Sequence, residues 1–200
     1  MIFQLNDSID EALKATMVHE LFLCSERISE FKMLAFADSS SRRSKAWKVR
    51  RHDAYSKFIH HLFEFWIAAA QRNALSTKSL PSDVLDELLT LEARKAIRNR
   101  RDAIEHFKPV GWEQSIQLLR EVDNDFGKHF RLVRNRTAHV SHRRAQPGVD
   151  DITLGQFFIR FHHAVAALFE TAKFAWTVKD IEEYDWMEIE AFDNAVAAAM

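Results

Sequence analysis

The sequence predicts an all-α fold, an up-and-down bundle of four to six helices. Three observations predict it. Gly occurs 4 times and Pro 3 times in 200 residues, far below average usage and too few for the turns of an all-β fold. Apolar residues recur at helical steps of three and four along several long segments. No segment sustains period-two alternation, so little or no sheet is expected. The chain is 47% hydrophobic and 28% charged, which suits a folded domain and not a disordered one.

The first helix is read from Ser8, where Ser8 and Glu11 have capping-box spacing. Its stripe is Ile9, Leu13, Met17, Leu21, Cys24, Ile28, Phe31 and Ala35. Cys24 lies on that stripe and reads as a buried thiol. A second helix is expected from about Lys45 to Asn73, apolar nearly all round in its second half. The third runs from Ser82, a candidate cap, to about Phe107, and Pro109 and Gly111 end it. A shorter helix is expected over Glu113–Val122, and the next from Asp123–Asp125 to about Arg144. Thr153 is expected to cap the last long helix, with core positions Leu154, Phe157, Phe158, Phe161, Val165, Leu168, Phe169 and Ala172. Residues 1–179 then form one bundle. Residues 180–200 form an acidic segment whose Tyr184, Trp186, Met187, Ile189 and Phe192 should pack on the bundle or on a partner subunit.

Composition also excludes. One cysteine allows neither an internal disulfide nor a Cys-based zinc site, which fits a cytoplasmic protein. The first residues lack a basic stretch followed by an apolar core. The apolar run Phe58–Ala70 is interrupted by His60, His61 and Glu64 and is shorter than the roughly 20 residues of a membrane span. Walker, dinucleotide, G-x-S-x-G, H-E-x-x-H and E-x-x-H patterns are all missing. No metal and no cofactor is expected. The net charge of −1 divides unevenly. Seven acids and no Lys or Arg follow residue 179, so residues 1–179 carry a net +6. Near-neutrality of the whole chain therefore does not by itself exclude a polyanionic partner.

Chemistry concentrates in Asp125–Arg144. At about 100° per residue, Phe126, Phe130, Val133, Thr137 and Val140 share the core-facing side. Arg131, Asn135, His139 and His142 share the opposite one, and Arg134 lies at its edge. His is the commonest proton-transfer side chain near neutral pH. The Arg fork stabilises charge on phosphoryl oxygens. Such a set suits transfer of a phosphodiester to its own ribose 2′-hydroxyl, which needs no metal. The alternative reading is a solvated polar face.

The stretch Arg134-Asn135-Arg136-Thr137-Ala138-His139 resembles the signature of the HEPN superfamily: Arg, a polar residue that is often Asn, a few more residues, then His. Its place in a late helix of an all-α chain is similar too. The resemblance implies a HEPN-like bundle. It implies a metal-independent endoribonuclease, of the kind found in toxin–antitoxin and defence systems, or a relative that has lost catalysis and binds RNA or protein, such as an antitoxin or a nucleotidyltransferase. Members typically form homodimers in which two motifs share a cleft. The implied roles are proton transfer for His139, phosphate stabilisation for Arg134 and orientation for Asn135. Arg131, Arg136, His142 and Arg143 are the candidate RNA contacts, and His142 has no counterpart in the family pattern. A third possibility is an unrelated helical interaction module.

A second match, Arg101-Asp102-Ala103-Ile104-Glu105-His106, has the same spacing. Glu105 would repel a phosphate there, and the helix ends at once. The basic run around Arg94–Arg101 and the Trp47-containing stretch Ser41–Arg51 read as charged helix faces, with Trp47 turned inward. His60, His61 and Glu64 read as satisfied boundary groups, and His162–His163 as the same.

Overall fold

In a computed structural model the chain is described over residues 1–36, 44–107, 120–138, 152–176, 181, 184 and 186–199. It is all-helical: α1 (Ser8–Phe36), α2 (Lys45–Asn73), α3 (Ser82–Phe107), α4 (Phe126–Ala138), α5 (Leu154–Trp176) and α6 (Met187–Ala199). Among the described residues there is no strand, only one isolated bridge between Ile2 and Ser76.

Helices α1 and α2 form a long antiparallel hairpin. From one end to the other, the Trp47 indole N–H donates to the Leu34 carbonyl at 3.2 Å. Cys24 Sγ lies 3.7 Å from the Phe58 carbonyl, and His61 meets Glu20 at 2.8 Å. Arg72 Nε donates to Asp10 at 2.6 Å. Asp10 is fully buried, and the Arg72 guanidinium holds its carboxyl down at about 2. Helix α4 runs antiparallel to α3, with Asp86 against Arg131 and Thr90 against Gly127. It also runs antiparallel to α5, with Phe126 against Phe161 and Phe130 against Phe157. This is up-and-down packing, and α4 lies with α2, α3 and α5 around it.

The core is built on phenylalanine. Phe58, Phe65, Phe126, Phe130, Phe157 and Phe161 are all below 2% exposed. Several rings meet edge to face: Phe63 on Phe130 at 5.2 Å, Phe126 on Phe161 at 5.4 Å and Phe58 on Phe169 at 5.6 Å. Each such burial contributes about 1.5–3 kcal/mol relative to exposure, and the ring pairs add about 0.5–1.5 kcal/mol each. Of the stripes expected on α1 and α5, Met17, Leu21, Cys24 and Ile28, and Phe157, Phe161, Val165, Leu168, Phe169 and Ala172 are buried, while Ile9, Leu13, Phe31, Ala35, Leu154 and Phe158 are partly buried.

Some local expectations change. The first helix is capped by Asp7, whose Oδ1 accepts from the N–H groups of Ile9 and Asp10 at 2.9 Å. Asp7 wins because its carboxylate reaches two free N–H groups and carries the charge that a helix N-terminus favours. Glu11 pairs with Lys14 instead. The N-terminus of α3 is closed by backbone, Leu85 N–H to the Pro81 carbonyl, with Ser82 already inside the helix. Thr153 does cap α5, in a reciprocal box: Gln156 N–H donates to Thr153 Oγ1, and Thr153 N–H donates to Gln156 Oε1. The short helix expected over Glu113–Val122 falls mostly outside the described residues, and its described end, 120–122, is not helical. The acidic helix α6 buries none of its residues. Just before it, Trp186 meets the His19 ring of α1 at 5.2 Å.

Candidate functional site

The position of α4 is set first by a glycine. Any Cβ on Gly127 would fall on the backbone carbonyl of Asp86, so only glycine lets α3 and α4 cross this closely. The Gly127 N–H donates to Thr90 Oγ1 at 3.0 Å, and the Thr90 hydroxyl donates to the Asp86 carbonyl at 2.8 Å. One turn along, the Asp86 carboxylate accepts both Nε and Nη2 of Arg131, at 2.8 and 2.7 Å. That fork-on-fork geometry is the strong form of an ion pair. Arg131 therefore does not stand free on an open face, as the helical projection alone suggests. It is committed to α3.

Arg134 is committed to α2. Its Nη2 donates to Glu64, and its Nη1 donates to Asn135 Oδ1 at 3.0 Å. Its guanidinium carbon lies 5.6 Å from the Phe63 ring centre, a favourable stacking for a delocalised cation. Its Nε is enclosed and has no hydrogen-bond partner. Arg134 and Glu64 keep 21% and 27% of their side-chain surfaces exposed, enough for a ligand to reach the pair. Arg134 thus leans toward Asn135.

Arg136 points another way. Its Nη1 donates to the Ile152 carbonyl, and it borders a cavity of about 190 Å³ with His52, Thr137, Thr153 and Gly155. His139, His142 and Arg143 lie outside the described residues.

Beside Arg134, helix α2 contributes a second group of side chains. His60 and Glu64 are one turn apart on the same face. The His60 and His61 rings are 5.2 Å apart, and His61 Nδ1 is paired to Glu20. Burial lowers the His60 pKa; Arg134 and His61 push it further down, while Glu64 and Glu20 pull it up. Two polar sets, Glu20–His61 and Glu64–Arg134–Asn135, thus flank His60 across α1, α2 and α4. His60, His61 and Glu64 are partly buried, as the sequence leads one to expect, and His61 and Glu64 are paired, to Glu20 and Arg134, while His60 Nδ1 is not. Their shared face was visible in the spacing. The packing of that face on α4, seventy residues away in the case of Arg134 and Glu64, was not.

The other candidates do not converge. Arg101 bonds to Glu121, and His106 Nδ1 lies 2.7 Å from the Asp102 carbonyl, on the exposed end of α3. Arg94 serves the backbone, donating to the Val122 carbonyl at 3.1 Å. Trp47 turns inward to Leu34. Among the described residues no group of three or more His, Cys, Asp or Glu side chains could hold a metal ion, and no helix is long and apolar enough to cross a membrane. No protein-family model matches the chain, and no curated protein or solved structure shows significant similarity to it.

Proposed function

We propose that the chain is a HEPN-like, metal-independent endoribonuclease that cleaves RNA by attack of a 2′-hydroxyl on the adjacent phosphate. The observation that carries the reading is the pairing of Arg134 and Asn135. The two side chains of the motif are joined by a hydrogen bond, and the guanidinium rests on Phe63 at the partly open edge of a helical bundle. In this scheme Arg134 stabilises the charge that builds on the phosphoryl oxygens. Asn135 orients, and His139 transfers the proton. Arg136, His142 and Arg143 extend the RNA path. Arg131 supports the site from beneath through Asp86. A homodimer would bring two such motifs together, and a cytoplasmic toxin held by a cognate antitoxin is the biological setting that the motif suggests.

A non-catalytic RNA- or protein-binding domain is favoured by one observation. Both Arg131 and Arg134 are already neutralised, by Asp86 and Glu64, which weakens the pull on a phosphate. Cleavage assays decide between the readings. The ribonuclease reading expects cleavage of single-stranded RNA that survives EDTA, leaves 2′,3′-cyclic phosphate ends, and falls by about 100-fold or more in His139→Ala. Full activity in that variant overturns the motif. Binding without turnover supports the second reading.

A further inference from the structure

We propose that helix α6 is a dimerisation arm. Its apolar stripe docks on the end of the α1–α2 hairpin of a second copy of this chain, and the second copy's α6 docks in return. The proposal gives a surface to the homodimer of the reading above. It uses no residue of the Arg134–Asn135 motif, so it stands or falls apart from the ribonuclease reading.

Helix α6 carries Ile189, Phe192 and Val196 at steps of three and four, which puts them on one face. At about 100° per residue, Glu188 and Asp193 lie on either side of that face. The helix has 13 residues and buries none of them, and Phe192 is 71% exposed. Isolated helices shorter than about 12–15 residues are marginal in water, and most helical stability in a protein comes from packing an apolar face. The sequence of α6 is therefore that of a helix whose apolar face is covered by a partner.

The hairpin end where α1 finishes and α2 begins is its complement. The last turn of α1 carries Met33 and Phe36, and the second turn of α2 carries Val49; all three are exposed, Phe36 to 81%. The bond from Trp47 to Leu34 holds the two helix ends together. Lys32, Lys45, Lys48 and Arg50 are exposed at the same end, and the nearest acid along α2, Asp53, is paired to Lys57 at 2.7 Å. Acids beside an apolar stripe on one surface thus match bases beside apolar side chains on the other.

Reach puts the two surfaces on different copies. Trp186, at the start of α6, meets the His19 ring of α1 at 5.2 Å. At about 1.5 Å per residue, Val196 lies about 15 Å beyond Trp186, while Met33 and Phe36 lie about 21 and 26 Å beyond His19. The stretch of its own α1 that α6 could reach carries Glu20, Glu26 and Glu30 against Arg27, so it repels Glu188, Glu190 and Asp193. Two hairpins lying antiparallel, side by side, bring each α6 to the other's hairpin end. That arrangement is isologous and closes as a dimer.

The test is the oligomeric state of the full chain by sedimentation equilibrium. The proposal expects a dimer of 23.3 kDa chains. Phe192→Asp and Phe36→Asp should each raise its dissociation constant by about 30-fold or more. Both side chains are exposed in the single chain, so the variants should keep the fold, which circular dichroism checks. A second readout fixes the pairing: a Phe192→Cys chain mixed with a Met33→Cys chain and oxidised should give a disulfide-linked mixed dimer. A dimer weakened by Phe192→Asp but not by Phe36→Asp, or one linked through Phe192→Cys alone, puts α6 against α6 and overturns the assigned surface. A monomeric wild type overturns the proposal, whether α6 then covers its own chain or the hairpin end takes up a short oligouridylate or anionic lipid vesicles. A dimer that cleaves no RNA supports this proposal and counts against the ribonuclease reading alone.

Discussion

Buried Tyr55 and half-buried His162 make a contact whose energetics can be read from charge alone. His162 Nδ1 lies 3.0 Å from the Tyr55 hydroxyl. Burial keeps that hydroxyl protonated and holds His162 neutral, with its pKa lowered to about 4. The tyrosine therefore donates and the imidazole accepts. In the unfolded chain the same histidine titrates near 6.5. A depressed histidine pKa means that its contribution is complete above the unfolded value and is lost as pH falls from about 6.5 to about 4. Over that window the wild type should lose roughly 3 kcal/mol from this group. His162→Gln keeps an acceptor for Tyr55 and cannot take a proton. Its denaturation midpoints at neutral and mildly acid pH should differ less than those of the wild type. A sequence shows a histidine on an apolar helix, but it does not show a tyrosine 107 positions away. The same limit hid Asp86 as the partner of Arg131, and Glu64 as that of Arg134.

Helices were legible where local chemistry settles them and less so where tertiary contacts do. The bounds of α2 and the Thr153 cap of α5 follow from spacing and from hydroxyl chemistry at a helix start. The cap of α1 shifts to Asp7 because a carboxylate one residue earlier outcompetes a serine. The motif that closes α2 just past Asn73 is a case the sequence does not signal. Ser76 N–H donates to the Gln71 carbonyl and Leu75 N–H to that of Arg72, the paired bonds of a Schellman motif. The left-handed position, with φ at 49°, is held by Leu75, where glycine is usual. A side chain there costs about 1–2 kcal/mol. Leu75→Gly should raise the melting temperature by about 2–4 °C, after part of the gain is offset by the freer unfolded chain. Gly127 is the converse. Gly127→Ala should destabilise the protein by about 3 kcal/mol, seen as a lower denaturant midpoint, because the new methyl group meets backbone that cannot turn aside.

On the scale of the whole molecule, charge and packing divide the labour. The positive excess of residues 1–179 does not all form an open basic surface. Arg72, Arg131, Arg134 and Arg160 each pair with an acid from another part of the chain. Counting charges along the sequence could locate the basic stretches, but it could not show how much of each is used to hold helices together. The all-α bundle itself was legible, because helical periodicity and scarce turn residues are properties of the whole chain and need no knowledge of partners. The close crossing at Gly127 has one more consequence. Two backbones in direct contact, flanked by the Asp86–Arg131 fork and by the bond from Arg94 to the Val122 carbonyl, resist sliding or rolling over each other. Helices α3 and α4 are therefore expected to move as a single door leaf. The jamb is α2, and the latch is Glu64 on Arg134. Any widening of the edge where Arg134 sits must swing both helices at once.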